Sequence, residues 1–203
     1  MSIVTKKGDK GRTSLLYGGM VSKDDPRVEL NGALDELSSF LGMAKSLIKD
    51  KVTKKNLEGI QKDLIVINAE IATLPKFLAK LKKRIDRRDV GGLEKDIKKL
   101  ETKSPVRNLH TPRPVAVLAK NARISFGHLA FRPKGTPGRL HFSLPGQNLV
   151  SSCLHVARTI ARRAERRCVT LSKKNLIKNP SMLVYLNRLS DFLYLVARRS
   201  EEK

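Results

Sequence analysis

The chain has 203 residues, 40% of them hydrophobic and 30% charged, which suits one globular domain spanning residues 1–203 with a sizeable core. Its 13 glycines and 9 prolines are too few for a collagen-like or low-complexity chain, and two cysteines exclude a disulfide scaffold. No apolar run is long enough to cross a membrane, and the first residues lack the apolar core of a secretory signal. These features predict a protein of the reducing cytoplasm.

The charge balance is unusual, because 42 lysines and arginines against 19 acidic residues give a net charge of +23. Such an excess attracts polyanions, among them nucleic acids, anionic lipids and small phosphorylated molecules. Aromatic residues make up only 4% of the chain and tryptophan is absent. This composition disfavours, without excluding, a single-strand nucleic-acid binder built on base stacking.

The chain begins with an irregular lead segment, residues 1–25, that four glycines interrupt. A helix is predicted from Pro26, with Asp24 or Asp25 as its N-cap. Its apolar stripe, in which leucine and alanine recur every three or four residues, continues to Ile48.

Three more segments follow before the middle of the chain. The apolar stripe from Leu57 to Leu74 predicts a second amphipathic helix, which Pro75 ends. Residues 76–90 are strongly basic and fit either a short helix or a linker. A third, shorter stripe over 90–100 predicts another helix.

Two further helices are predicted near the C-terminal end, over about 147–171 and 180–199. Before them, a long irregular insertion at about 104–140 is basic and rich in proline, and it has no sustained helical stripe. Connections of this length are uncommon in a compact domain. The pattern predicts an all-α fold, an antiparallel up-down bundle of five helices that resembles ferritin, with this insertion before the fourth helix.

The lead segment contains the stretch TKKGDKGRTS at residues 5–14. Its two glycines allow backbone amides to approach a ligand, and its lysines and hydroxyls suit phosphate. The spacing is not that of a Walker A loop. Composition alone favours the alternative, a flexible basic tail with a turn.

The fourth predicted helix carries a dense cluster of arginines between residues 158 and 167. Four charged side chains share one face: Arg158, Arg162, Glu165 and Arg166. Arg163 and Arg167 lie about 100° round the helix. Like charges at this spacing repel one another unless an anion neutralises them. This face is therefore either a solvated surface or an anion-binding site.

Other polar residues lie within apolar stripes. Asn187 and Asp191 are one turn apart on the last predicted helix, and Asp35 and Glu36 interrupt the apolar stripe of the first. Helix capping or surface pairing explains these residues as well as a functional role does. Asp35 is a candidate partner for Arg158. The four histidines have no metal-ligand spacing, and no protein-held metal site is predicted.

Three separated groups of motifs resemble the ATP:cob(I)alamin adenosyltransferase family of the propanediol-utilisation type. They are residues 5–14, then 21–27 with 32–42, and then 142–146 with 154–167 and 185–198. The resemblance implies a homotrimer in which ATP and the corrinoid meet between subunits. Such enzymes transfer the 5′-deoxyadenosyl group of ATP to cob(I)alamin and release triphosphate, with Mg²⁺ assisting.

By this resemblance, the ATP-binding residues come from the lead segment and the last two helices. They are Thr5, Lys6, Lys7, Gly8, Thr13, Ser14, Lys23, Arg162, Glu165, Arg166 and Asn187. Arg162 and Arg166 complete the phosphate cradle, where positive charge stabilises the departing triphosphate.

The resemblance also implies a corrinoid site. Phe142 takes the place of the lower axial ligand, so that cobalt becomes four-coordinate and easier to reduce. Asp35 and Arg158 form a helix-to-helix ion pair near the corrinoid, and Asp191 and Phe192 are further candidates for the pocket.

The chain departs from the family pattern at Gln147, where glycine is usual, and in the long insertion before Phe142. Two alternative functions remain. The net positive charge also fits a basic helical protein that binds nucleic acid, and the departures from the family pattern fit an ATP-binding relative without corrinoid activity. A corrinoid reductase or a cobalamin-dependent acceptor enzyme is a candidate partner.

Overall fold

A computed structural model describes residue 6, residues 8–103 and residues 145–201 of the chain. In this part the chain is mainly helical, as predicted, with one small antiparallel hairpin. The elements are β1 (Arg12–Ser14), β2 (Met20–Ser22), α1 (Pro26–Leu47), α2 (Lys51–Ile71), a 3-10 helix (Pro75–Lys80), α3 (Arg87–Lys103), α4 (Leu149–Lys173) and α5 (Pro180–Glu201). The insertion at about 104–140 lies outside the described residues, so the five-helix count for the whole chain stays a prediction.

The start of α1 agrees with the sequence. The Oδ1 atom of Asp25 accepts a hydrogen bond from the backbone N of Arg27 at 2.8 Å, and Pro26 occupies the first helical position. Of the two candidate caps, the chain uses Asp25. A side-chain acceptor here satisfies one of the amides that the first turn leaves unpaired.

The boundaries of α2 differ from the prediction at both ends. Asp50 caps the helix by accepting from the backbone N of Thr53 at 3.0 Å, so α2 begins six residues before the apolar stripe. It ends at Ile71, and Leu74 is the N-cap residue of the 3-10 helix instead of the last residue of α2. Pro75 therefore begins the next element instead of terminating this one.

Both late helices have side-chain caps. At the start of α4, Asn148 and Ser151 form a reciprocal capping box, in which Asn148 Oδ1 accepts from the backbone N of Ser151 at 2.8 Å. At the start of α5, Asn179 Oδ1 accepts from the backbone N of Ser181 at 3.0 Å. These caps set the two helices within about two residues of the predicted ranges.

The helices pack around one core, in which α4 contacts α1 and α5, α2 lies on α1, and α3 lies on α5. Ala157, Ala161 and Ala164 are fully buried on α4, and small side chains allow neighbouring helices to approach closely. Cys153 and Cys168 are buried and free, and burial raises the pKa of Cys168 to about 12. As expected, the two cysteines serve as small core residues.

The hairpin in the lead segment was not predicted. Arg12, Thr13 and Ser14 pair with Ser22, Val21 and Met20. The connecting turn contains Gly18 and Gly19 at φ +99° and +97°, a backbone that residues with a side chain rarely adopt. The backbone N of Leu16 donates to the carbonyl of Ala72 at 2.8 Å, which holds the turn against the end of α2. No helix in the described ranges is both long and apolar enough to span a membrane.

Candidate active site

The hairpin brings together two residues that were predicted to contact phosphate. A Cβ atom on Gly8 would lie 3.2 Å from the Nζ atom of Lys23, so the glycine leaves room for the ammonium group beside the backbone. The backbone N of Lys23 donates to the carbonyl of Gly11 at 2.9 Å, which fixes this residue at the end of β2. An exposed ammonium group beside a half-buried glycine suits an anionic ligand.

The other predicted residues of the lead segment divide into two sets. Thr13 and Ser14 lie on β1, and Lys6 has a left-handed backbone at φ +56°. Thr5 and Lys7 lie outside the described residues. None of the hydrogen bonds or ion pairs found for residues 8–24 reaches α4 within the chain.

The arginines of α4 divide into two groups according to their partners. Arg163 forms an ion pair with Glu36, and Arg167 forms one with Glu29, both on α1. Glu29 precedes Glu36 on α1, whereas its partner Arg167 follows Arg163 on α4, so the two helices are antiparallel. The two arginines that lie round the helix from the predicted anion face therefore join α4 to α1.

The remaining arginines of α4 are not paired with α1. Among the described residues Arg162 forms an ion pair only with Glu165, one turn along its own helix, at 3.3 Å between Nη1 and Oε2. Arg166 is exposed and has no ion pair within the described ranges. Glu165 compensates one charge of this face, which leaves the other arginines available to a ligand.

A cleft of about 820 Å³ lies among α3, α4 and α5. Its lining residues are Glu94, Ile97, Lys98, Glu101, Arg158, Arg162, Arg188, Ser190, Asp191, Tyr194 and Leu195. Both charge signs and an apolar surface meet here. The cleft therefore suits a large ligand with anionic groups, amide-type polar groups and an extended apolar face.

One wall of this cleft is held by an ion pair between helices. The Nε atom of Arg188 lies 2.9 Å from Oε1 of Glu94, joining α5 to α3, and Arg188 Nη1 lies 3.8 Å from Oδ2 of Asp191. Arg158 enters the opposite side from α4, and its buried Nε atom has no hydrogen-bond partner among the described residues. Arg158 is thus a cation directed into the cleft without an internal carboxylate.

Within one chain Asp35 and Arg158 do not pair, so the expected ion pair stays a prediction. Asp35 Oδ1 accepts a hydrogen bond from Nδ2 of Asn68 at 2.7 Å, so the carboxylate lies on the α2 side of α1. Arg158 lies on the side of α4 that faces α3 and α5. Helical spacing identifies the face of each residue on its own helix but not which faces of two helices meet.

The remaining predicted residues have different environments. Phe192 is 1% exposed and packs in the core, and its assignment to the corrinoid pocket stays a prediction. Asp191 lines the cleft, and Asn187 is partly buried one turn before it on α5. Phe142 lies outside the described residues.

Sequence reasoning missed Arg188, Glu94 and Tyr194. Arg188 directly follows Asn187, and its spacing of three from Asp191 was a signal for a charged pair on one face. Tyr194 was not among the predicted site residues, yet it is 37% exposed and lines the cleft. Nothing in the sequence pairs Glu94 with a residue 94 positions away.

The fold and this site define a helical-bundle protein with an arginine-lined cleft. A family model for cobalamin adenosyltransferases matches residues 3–200, and the chain belongs to this family.

Two curated relatives and one solved structure carry the comparison further. The chain is 34% identical to a corrinoid adenosyltransferase of Citrobacter freundii, over 98% of the chain and 94% of that protein. It is 35% identical to the corrinoid adenosyltransferase of Bacillus subtilis, over 98% of the chain and 86% of that protein. A variant PduO-type ATP:corrinoid adenosyltransferase from Lactobacillus reuteri, solved with cobalamin and ATP, matches with a TM-score of 0.73 and 32% identity, over 99% of this chain and 94% of that one.

Proposed function

We propose that this protein transfers the 5′-deoxyadenosyl group of ATP to the Co(I) centre of a corrinoid, giving adenosylcobalamin and triphosphate. The observation that carries the proposal is the pair of arginines, Arg158 and Arg162, that enter the large cleft without partners on α1. Family membership and the relative solved with both substrates support it.

The phosphates of ATP are assigned to the lead segment and to one face of α4. Lys23 beside Gly8 offers an ammonium group, and Arg162 and Arg166 offer guanidinium groups that suit phosphate. Glu165 orients Arg162 through their 3.3 Å contact. Thr5, Lys6, Lys7, Thr13, Ser14 and Asn187 complete the proposed nucleotide site.

The corrinoid is assigned to the cleft itself. Tyr194, Ile97 and Leu195 offer an apolar surface for the macrocycle, while Ser190 and Asp191 offer hydrogen bonds to its amide side chains. The resemblance gives Phe142 the place of the lower ligand of cobalt. A phenyl ring fills that space without donating an electron pair.

The reaction needs little acid–base chemistry. The Co(I) electron pair attacks C5′ of ATP and becomes the new Co–C5′ bond. The C5′–O bond breaks, and the triphosphate leaves with the electron pair of that broken bond. Charge grows on the leaving phosphates, so preorganised guanidinium groups stabilise the transition state more than the ground state. Arg162 and Arg166 are therefore proposed as catalytic residues, and binding both substrates together supplies the orientation.

Mg²⁺ is proposed to enter bound to the phosphates of ATP. Within residues 8–103 and 145–201, no group of three carboxylate, imidazole or thiol side chains is arranged to hold a metal ion. Mg²⁺ is commonly bound mainly by substrate phosphates and water.

We further propose a homotrimer whose sites lie between subunits. Within one chain the lead segment contacts α2 and the 3-10 helix, whereas Arg162 faces α3 and α5. Asp35 and Arg158 likewise face different directions. Assembly of neighbouring chains would bring both pairs together. Docking of a corrinoid reductase or an acceptor enzyme, and the cytoplasmic location, stay predictions.

The test is a spectral assay of reduced cobalamin with Mg-ATP, in which formation of adenosylcobalamin replaces the cob(I)alamin spectrum. We expect the change to require ATP and to be lost in Arg162→Ala. An unchanged spectrum with retained ATP binding would favour the relative without corrinoid activity. If neither substrate binds, salt-dependent binding of nucleic acid in a filter assay tests the remaining alternative.

A further inference from the structure

His155 has an unusual environment for a polar residue. Its side chain is 6% exposed, its Nδ1 atom has no hydrogen-bond partner among the described residues, and its Nε2 atom lies 3.4 Å from Oε1 of Glu201. A buried imidazole with so few polar partners costs free energy that an apolar side chain of similar size avoids. Core packing alone therefore does not explain a histidine at this position.

The ring of His155 lies directly behind two residues of the cleft. Its centroid is 6.3 Å from that of Tyr194 in an edge-to-face arrangement with an interplanar angle of 64°. Arg158 follows His155 on α4 by three residues, so the two side chains project from adjacent turns of one face. Tyr194 and Arg158 both line the cleft.

We infer that His155 is a positioning residue for the corrinoid side of the cleft. Its ring holds the Tyr194 ring of α5 in a fixed position relative to Arg158 of α4. This inference rests on the proposed function, because it takes the cleft as the corrinoid site. An edge-to-face pair favours one orientation of the two rings. The ring of Tyr194 is thus fixed before a planar ligand arrives.

The charges around His155 favour the same role. Burial and the neighbouring Arg158 lower the pKa of His155, Glu201 opposes this effect, and Arg198 adds to it. Glu201 is itself engaged in an ion pair with Arg198. A neutral imidazole leaves the charge of Arg158 directed at the cleft without a second cation beside it.

The effect should be confined to one substrate. Arg162 and Arg166 lie one and two turns beyond Arg158 on α4, away from His155. A loosened Tyr194 ring should therefore weaken binding of the corrinoid and leave the phosphate contacts unchanged.

Three variants of the full-length protein test this inference by steady-state kinetics with cob(I)alamin and Mg-ATP. His155→Leu removes the ring, His155→Phe keeps a ring against Tyr194, and Val156→Ala is the control on the same turn of α4. We expect His155→Leu to raise the KM for cob(I)alamin about three- to tenfold, as loss of one aromatic contact predicts, with the KM for ATP unchanged. His155→Phe should restore the cob(I)alamin KM, and Val156→Ala should match the parent. A parallel rise of both KM values, or no rise in His155→Leu, overturns the inference.

A second measurement does not depend on turnover. The chain has three tyrosines, so ring resonances of protein labelled with ¹³C-tyrosine can be assigned with Tyr194→Phe. His155→Leu should shift the Tyr194 resonance and leave that of Tyr17 in place; an unmoved Tyr194 resonance refutes the packing role. If the parent protein shows no adenosylation, the proposed function fails, while this spectrum still decides whether His155 orders the Tyr194 ring.

Discussion

The carboxylate of Asp35 accepts a hydrogen bond from Asn68 at 2.7 Å, on the side of α1 that faces α2. Arg158 lines the cleft bounded by α3 and α5, so the two charges do not meet within one chain. An ion pair between them requires a second copy of the chain. The relationship between Asp35 and Asn68 thus gives a direct test of the proposed assembly.

Asp35→Ala should weaken the proposed trimer, because in that assembly it would leave Arg158 of the adjoining subunit without its carboxylate. Light scattering over a range of protein concentrations measures the loss. Asn68→Ala, the control, removes the internal hydrogen bond but keeps the carboxylate and should leave the assembly intact. A trimer that is equally stable in both variants would contradict an intersubunit pair, whereas rescue by combining Asp35→Arg with Arg158→Asp would establish it.

The arginines of α4 should separate by function. Arg162→Ala and Arg166→Ala should each lower kcat about 10²- to 10³-fold, because each removes one group that stabilises the developing charge. The Tm should change little. Arg167→Ala is a matched control on the same helix, since Arg167 pairs with Glu29 of α1. It should cost up to about 1 kcal/mol of unfolding free energy and leave turnover nearly intact. Equal losses of turnover in all three variants would mean that helix charge in general, not the cleft face, supports activity.

Gly8→Ala should raise the KM for ATP severalfold. The new methyl group would lie 3.2 Å from the Nζ atom of Lys23 and displace that flexible ammonium group from the proposed phosphate site. Gly59 serves as the comparison, because it lies in α2 with nothing within 4 Å of an added Cβ. Gly59→Ala should leave the KM for ATP unchanged and stabilise the protein by about 0.5–1 kcal/mol. An unaltered KM in Gly8→Ala would remove Lys23 from the ATP site.

Glu70 supports the end of the bundle at which the hairpin rests. The carboxylate is 4% exposed, its Oε1 atom accepts from Nε and Nη2 of Arg84 at 2.9 and 2.6 Å, and its Oε2 atom accepts from Nδ2 of Asn179 at 3.0 Å. Glu70→Ala should lower the free energy of unfolding by about 1–3 kcal/mol, because it removes three hydrogen bonds to one buried carboxylate, two of them from a guanidinium group.

Urea denaturation measures the effect of Glu70→Ala. Glu58→Ala, which removes an exposed ion pair with Lys62 on the same helix, should produce no measurable change. Similar stabilities for the two variants would show that the contacts of Glu70 are replaceable by water.

Acid should destabilise the protein through His155. Because the folded pKa of this imidazole lies below its ordinary value of about 6.5, its contribution to stability is complete above that pH and is lost as the pH falls toward the folded pKa. The Tm of the parent should therefore fall more steeply between pH 7 and pH 5 than that of His155→Phe. Superimposable Tm curves would show that His155 does not drive the acid response.

Local sequence patterns predicted the helices of the described residues, with the clearest boundary errors at the two ends of α2. Asp25 and Pro26 act within one turn, so their role in starting α1 was evident from adjacent residues. Pro75 was predicted to end α2, whereas it begins the 3-10 helix. Proline suits both positions, so the residue type alone does not distinguish them. The hairpin escaped prediction because strands of three residues are too short to show an alternating pattern.

The sequence by itself determined that this chain builds amphipathic helices, that an arginine cluster lies on one of them, and that its motifs are those of a corrinoid adenosyltransferase. These properties are periodic or local, so they depend on residues that are only a few positions apart in the sequence. Only the tertiary structure decided that Arg163 and Arg167 join α4 to α1, that Arg158 faces the cleft away from Asp35, and that Tyr194 lies against His155. Helical periodicity defines the faces of a single helix, whereas the pairing of faces depends on how all the helices pack together around the core.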